Sequence, residues 1–90
     1  EGTVVASLNE GEIYGVALWV REGLVATDSQ DIMPSKVLAV QLNLNGDHCW
    51  VVSDYMCPGL VRKGLTAIYD MSRGLSVAGD RLVVCGDFNT

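Results

Sequence analysis

The sequence predicts an α+β domain, and three observations carry that expectation. Period-2 apolar patterns flank Asn45-Gly46, the strongest short-range hairpin signal, because both turn residues tolerate positive φ. After Pro58-Gly59 the period changes. Val61, Leu65, Ile68, Ser72 and Leu75 recur at spacings of four, three, four and three, the stripe of an amphipathic helix. An apolar run, Arg81–Cys85, then reads as a fully buried strand ending in Gly86-Asp87-Phe88-Asn89-Thr90. The expected order is β-β-loop-β-turn-β-α-β, a mostly antiparallel sheet with one helix crossover before the last strand.

Taken in order, Thr3–Leu8 is a short β-prone run, and Asn9-Glu10-Gly11-Glu12 is turn-like. Ile13–Val20 is the next strand, with Gly15 marking a bulge or a close backbone approach. From Arg21 to Ser35 no period holds, and Asp28, Ser29, Asp31 and Pro34 read as a loop. Lys36–Leu44 alternates, with Leu38, Val40, Leu42 and Leu44 on the face expected to be buried and Val37, Ala39, Gln41 and Asn43 opposite. Cys49–Tyr55 returns as the hairpin partner. In the helix, Arg62, Lys63, Asp70 and Arg73 lie off the stripe and are expected in solvent. Gly64 and Gly74 each weaken it by about 1 kcal/mol relative to alanine, so it needs tertiary packing. Gly79 suits its C-terminal boundary.

The chain has 90 residues, 49% hydrophobic and 19% charged, with mean hydropathy +0.27. Those values exclude an intrinsically disordered segment. A chain this short buries about 60–65% of the surface it exposes when unfolded, so its core is small. Eleven acids and six bases give a net charge of −5. Residues 1–53 hold seven acids and two bases, and residues 54–90 hold four of each, so the whole excess lies in the first part. This balance argues against a free-standing electrostatic nucleic-acid binder and against a polybasic membrane anchor. The chain starts at Glu1 without a charged-then-apolar leader, and no apolar run approaches about 20 residues. Cys49, Cys57 and Cys85 are odd in number and lack C-x-x-C spacing. The expectation is an intracellular protein with reduced thiols and no membrane partner. Cys49 and Cys85, inside apolar runs, read as small hydrophobes.

The chemistry concentrates in the last five residues. In extended geometry residues i and i+2 project to one side, so Asp87 and Asn89 are expected to aim at one point. A carboxylate beside a carboxamide at a strand end suits phosphodiester hydrolysis. The carboxylate can orient or deprotonate a water or bind Mg²⁺, and the amide can donate to a phosphoryl oxygen that gains charge. Gly86 would let backbone and ligand approach closely. Taken alone, the pattern fits a strand-ending Asx turn equally well.

Upstream, Val51-Val52-Ser53-Asp54-Tyr55-Met56-Cys57-Pro58 is a strand ending in Tyr-x-x-Pro, followed by the helix and the Gly-Asp-Phe-Asn strand. In this order the sequence resembles the endonuclease/exonuclease/phosphatase superfamily, most closely the endonuclease domains of non-LTR (LINE-type) retrotransposons. Tyr14-Gly15-Val16-Ala17-Leu18-Trp19-Val20 is similar to that family's central Gly-Val-Ala-type strand. The resemblance implies a partial αββα sandwich in which two sheets pack face to face. It implies that Asp87 positions and activates the attacking water and serves as a ligand to Mg²⁺. It further implies that Asn89 contacts the scissile phosphate and that the Tyr55 hydroxyl reaches a phosphate oxygen.

The chain departs from the family pattern in several places. Cys57 is inserted before the proline, and Asp54 stands where an apolar or small residue is usual. Glu1, Glu10 and Glu12 are the nearby candidates for the metal-binding glutamate; Glu1 would need an unusually short connection, and the turn acids Glu10 and Glu12 read as solvated. The later Asp and the terminal Asp-His pair would lie beyond Thr90. His48 follows the Asn-Gly turn and reads as an exposed turn residue rather than a substitute. Residues 1–90 are therefore expected to be an interior piece of one such catalytic domain, inactive alone. Its inner apolar face (Leu38, Val40, Leu42) would meet water or another chain. The expected activity of the whole is that of a Mg²⁺-dependent endonuclease acting on DNA, nuclear if retrotransposon-derived. Alternatives are a phosphoinositide or phospholipid phosphatase of the same superfamily, or a non-catalytic α+β interaction module. In the last, Trp19 and Trp50 would mark a binding face, although core packing suits both.

Overall fold

The protein, described as a computed structural model over residues 2–8, 11, 15–56 and 58–87, is α+β. β1 (Gly2–Ser7) and β2 (Val16–Arg21) form an antiparallel pair. β3 (Val25–Met33), β4 (Val37–Leu44), β5 (Asp47–Tyr55) and β6 (Arg81–Asp87) form a second sheet in that order, with α1 (Val61–Ala78) connecting β5 to β6. The Asn-Gly hairpin forms as expected. Leu44 faces Asp47 across Asn45 (φ 55) and Gly46 (φ 94), the two positive φ values that a tight turn between twisted strands requires. β6 runs parallel to β5, as a helix crossover demands.

The segment expected to be a loop is instead the nine-residue strand β3. Its run Thr27-Asp28-Ser29-Gln30-Asp31 has no apolar alternation because it is an edge strand, exposed along most of its length. Backbone pairing to β4 holds it, with register shifts at Ala26/Asp28 and Asp31/Met33, the usual treatment of an open edge. β6 also departs from expectation. It occupies the other edge, so Leu82 and Val84 pack inward while Val83 is 51% exposed and Cys85 is exposed. Cys49 is buried as expected.

Both faces of β4 are buried, which a single buried face did not anticipate. Val37 and Ala39 join Trp50, Val52, Met56 and Ile68 in a core beneath α1. Leu38 and Val40 pack on the opposite face with Val16 and Val20 of the small sheet. The β1–β2 pair thus covers much of the inner face expected to stay open. Leu42 remains half-exposed, beside an apolar groove that Leu18, Leu24 and Val51 also line. Trp50 is a core residue, whereas Trp19 is 62% exposed. Gly15 makes the expected close approach: a Cβ there would fall 2.7 Å from the Ser7 carbonyl oxygen.

The helix stripe is rotated slightly from its expected line. Leu65 is 44% exposed, and the packed face runs through Val61, Gly64, Ile68, Met71 and Leu75. Gly64 lets the helix sit directly on Met56, whose terminal methyl would lie 2.8 Å from an added Cβ. A Cβ added at Gly74 would meet nothing within 4 Å among the described residues. Gly74→Ala is therefore expected to stabilise the fold by about 0.5–1 kcal/mol. Urea unfolding should show a higher midpoint with unchanged slope. Gly64→Ala should gain less, because crowding against Met56 offsets its better helix propensity.

Candidate active site

β5 and β6 are parallel, so their C-terminal ends lie side by side and bring the two sequence motifs together. Tyr55 is the register partner of Asp87, and Asp54 of Gly86. Register partners share a face of the sheet, which places Tyr55 and Asp87 together on the side covered by β1–β2. Tyr55 is half-buried against that apolar cluster, and Asp87 is exposed. The Met56 N–H donates to the Asp87 carbonyl at 2.8 Å, so pairing continues to the end of the strand. Asn89, expected to converge with Asp87, lies outside the described residues, as do Glu1, Glu10 and Glu12.

Gly86 has φ 139, and a Cβ on it would lie 2.8 Å from the Asp54 nitrogen and nearer still to the Asp54 carbonyl oxygen. The space expected to admit a ligand is taken by the backbone of β5. Glycine here lets β6 close against its neighbour and so sets the position of Asp87.

Asp54 belongs to the opposite, helix-side face and is 3% exposed. Among the described residues neither of its carboxylate oxygens has a hydrogen-bond partner. Burial, and then the charge of Asp87, raise its pKa from the ordinary aspartate value. The folded state therefore holds the proton more tightly than the unfolded chain. The stability linked to that proton is complete below the unfolded pKa and is lost as pH rises through the folded one. In metal-free buffer the unfolding free energy is expected to fall as pH rises above about 4. Asp54→Asn, which cannot ionise, should flatten this dependence and be the more stable form at pH 7. Urea titrations at several pH values measure both.

A polar tie borders the site on the side of β4. The Ser7 hydroxyl donates to the Asp31 carboxylate and accepts from the Ser35 N–H at 2.7 Å, linking β1 to the turn between β3 and β4. In that turn the Lys36 N–H donates to the Met33 carbonyl at 2.9 Å, across Pro34 and Ser35 (φ 63). Pro followed by a positive φ is the arrangement of a type II turn. Tyr55 N–H donates to the Lys36 carbonyl at 2.7 Å, and the Lys36 ammonium lies 5.8 Å from the Tyr55 ring centroid. Sequence reasoning passed over Ser7, Ser35 and Lys36. One signal was present: Lys36 is the sole Lys or Arg between Arg21 and Arg62.

His48 is at the far end of the sheet, 4.0 Å from Asp80; it is exposed as expected but sits in β5, paired with Asn43, rather than in the turn. Among the described residues no three His, Cys, Asp or Glu side chains gather as a metal cluster. Asp87, exposed at the end of β6, nevertheless offers Mg²⁺ one carboxylate, whereas Asp54 lies buried on the opposite face of the sheet. That ion takes one or two carboxylates and keeps its waters. No family model, curated protein or solved structure matches this chain.

Proposed function

We propose that this chain forms part of a Mg²⁺-dependent phosphodiesterase that hydrolyses DNA, with Asp87 and Tyr55 in its active site and Asn89 as a further phosphate contact. The observation that carries this reading is the register pairing of Tyr55 with Asp87 at the ends of adjacent parallel strands. Two motifs remote in sequence thereby meet on one face, at the end of an open α/β-type crossover where such sheets place their ligands.

In this reading the exposed Asp87 carboxylate accepts a hydrogen bond from a water and takes its proton as the new oxygen–phosphorus bond forms. The phosphorus–oxygen bond to the leaving group breaks, and the leaving oxygen is protonated by an acid or by solvent. The Tyr55 hydroxyl donates to a non-bridging oxygen as its charge grows. Mg²⁺, held through Asp87, would neutralise phosphate charge. Burial first, and then the Asp87 charge, raise the Asp54 pKa, and a divalent cation on Asp87 would offset the second of these.

The test is nicking of supercoiled plasmid by the domain with its flanking sequence, with Mg²⁺ and with EDTA. Nicking that needs Mg²⁺ and Asp87 supports the reading. Cleavage indifferent to Asp87 overturns the site, and hydrolysis of phosphoinositides without any nicking moves the activity to lipid substrates.

A further inference from the structure

We infer that Lys36, set over the ring of Tyr55, binds a non-bridging oxygen of a phosphodiester, so that the turn between β3 and β4 supplies the anion subsite of this active site. The inference rests on the phosphodiesterase reading and deepens it by naming the group that offsets the substrate's charge. Three carboxylates crowd this end of the sheet: Asp87 exposed, Asp54 buried behind it, and Asp31 tied through Ser7 to Ser35. In a chain of net charge −5, an anionic phosphodiester brought among them is repelled unless a cation meets it.

Lys36 is built to be that cation. Its backbone is fixed on both sides, by its N–H to Met33 and its carbonyl to Tyr55. Its ammonium lies 3.3 Å from the Ser35 hydroxyl and 5.8 Å from the Tyr55 ring centroid. Ser35 has no exposed surface and is held in a left-handed conformation that L residues seldom adopt. Such backbone outliers concentrate where a side chain must be held for function. The ring face directs the ammonium, and Tyr55 in turn pairs with Asp87. A compact ammonium with three rotatable donors suits one phosphate oxygen.

The test is amide chemical-shift titration of the 90-residue chain with thymidylyl-thymidine, and in parallel with glycerophosphoinositol, at several salt concentrations. Shifts are expected at Lys36, Tyr55 and Asp87. Lys36→Met keeps the apolar stem; it should bind about tenfold more weakly, with a shallower dependence of log Kd on log salt. Lys36→Arg should bind within about threefold of the wild type, because it retains the charge. Arg73→Met removes a comparable cation, 5.9 Å from the Tyr69 ring centroid, and should leave the slope unchanged. Unchanged affinity and slope in Lys36→Met, with shifts still centred on Tyr55 and Asp87, overturns the role of Lys36 and leaves the phosphodiesterase reading standing. No shift at Tyr55 or Asp87 with either probe overturns both. Whichever probe binds more tightly through Lys36 assigns the subsite to a nucleic-acid or a lipid-headgroup phosphodiester.

Discussion

Asp87→Ala is expected to abolish Mg²⁺-dependent plasmid nicking by the complete domain, a loss on the order of 10³–10⁶. The range is wide because the members of a cooperating catalytic set are not additive. Removing the group that takes the water's proton disables the others with it. Asp87 is exposed at a strand end, so its replacement should leave urea unfolding nearly unchanged, separating chemistry from folding. Tyr55→Phe removes one donor to the developing charge and is expected to cost about 10²–10³. The ring also packs against Val16, Val20, Leu38 and Val40, and phenylalanine preserves that contact. The 90-residue chain itself should give no nicking above background, and Asp87→Ala in it should change nothing. Strong nicking by the chain alone that Asp87→Ala removes would show that the working site is complete within these residues.

Gly86→Ala is expected to destabilise the fold by about 2–4 kcal/mol. Two causes act together. A φ of 139 is strained for any L side chain, and the new Cβ would be driven into the Asp54 backbone. Rotamer changes cannot relieve a clash with main chain, so the end of β6 must separate from β5. That separation breaks the bond from Met56 N–H to the Asp87 carbonyl and carries Asp87 away from Tyr55. Equilibrium urea unfolding measures the first effect. Loss of amide-exchange protection at Met56 and Gly86 measures the second. Protection unchanged in a folded Gly86→Ala protein would contradict the close packing argued here.

Much of this architecture is written locally and could be read without coordinates. The Asn45-Gly46 hairpin, the period change at Val61 and the parallel crossover to β6 each rest on the backbone preferences of a few neighbouring residues, and each is present. The motifs carrying Tyr55 and Asp87 were legible for the same reason. What the pattern could not convey depends on which neighbour each strand finds. β3 has no apolar signature because an edge strand is held by backbone pairing, to which side-chain periodicity is blind. β4 reads as one-sided by its alternation, yet a hairpin on one face and a helix on the other bury both sides. β6 is as apolar as a central strand but lies at an edge, which leaves Val83 and Cys85 exposed. Tertiary structure alone decided that Gly86 makes room for β5 rather than a ligand, that Asp54 is buried without a hydrogen-bond partner among the described residues, and that Lys36 meets Tyr55. These are contacts between segments far apart in the chain, and composition and spacing carry no record of distance through space.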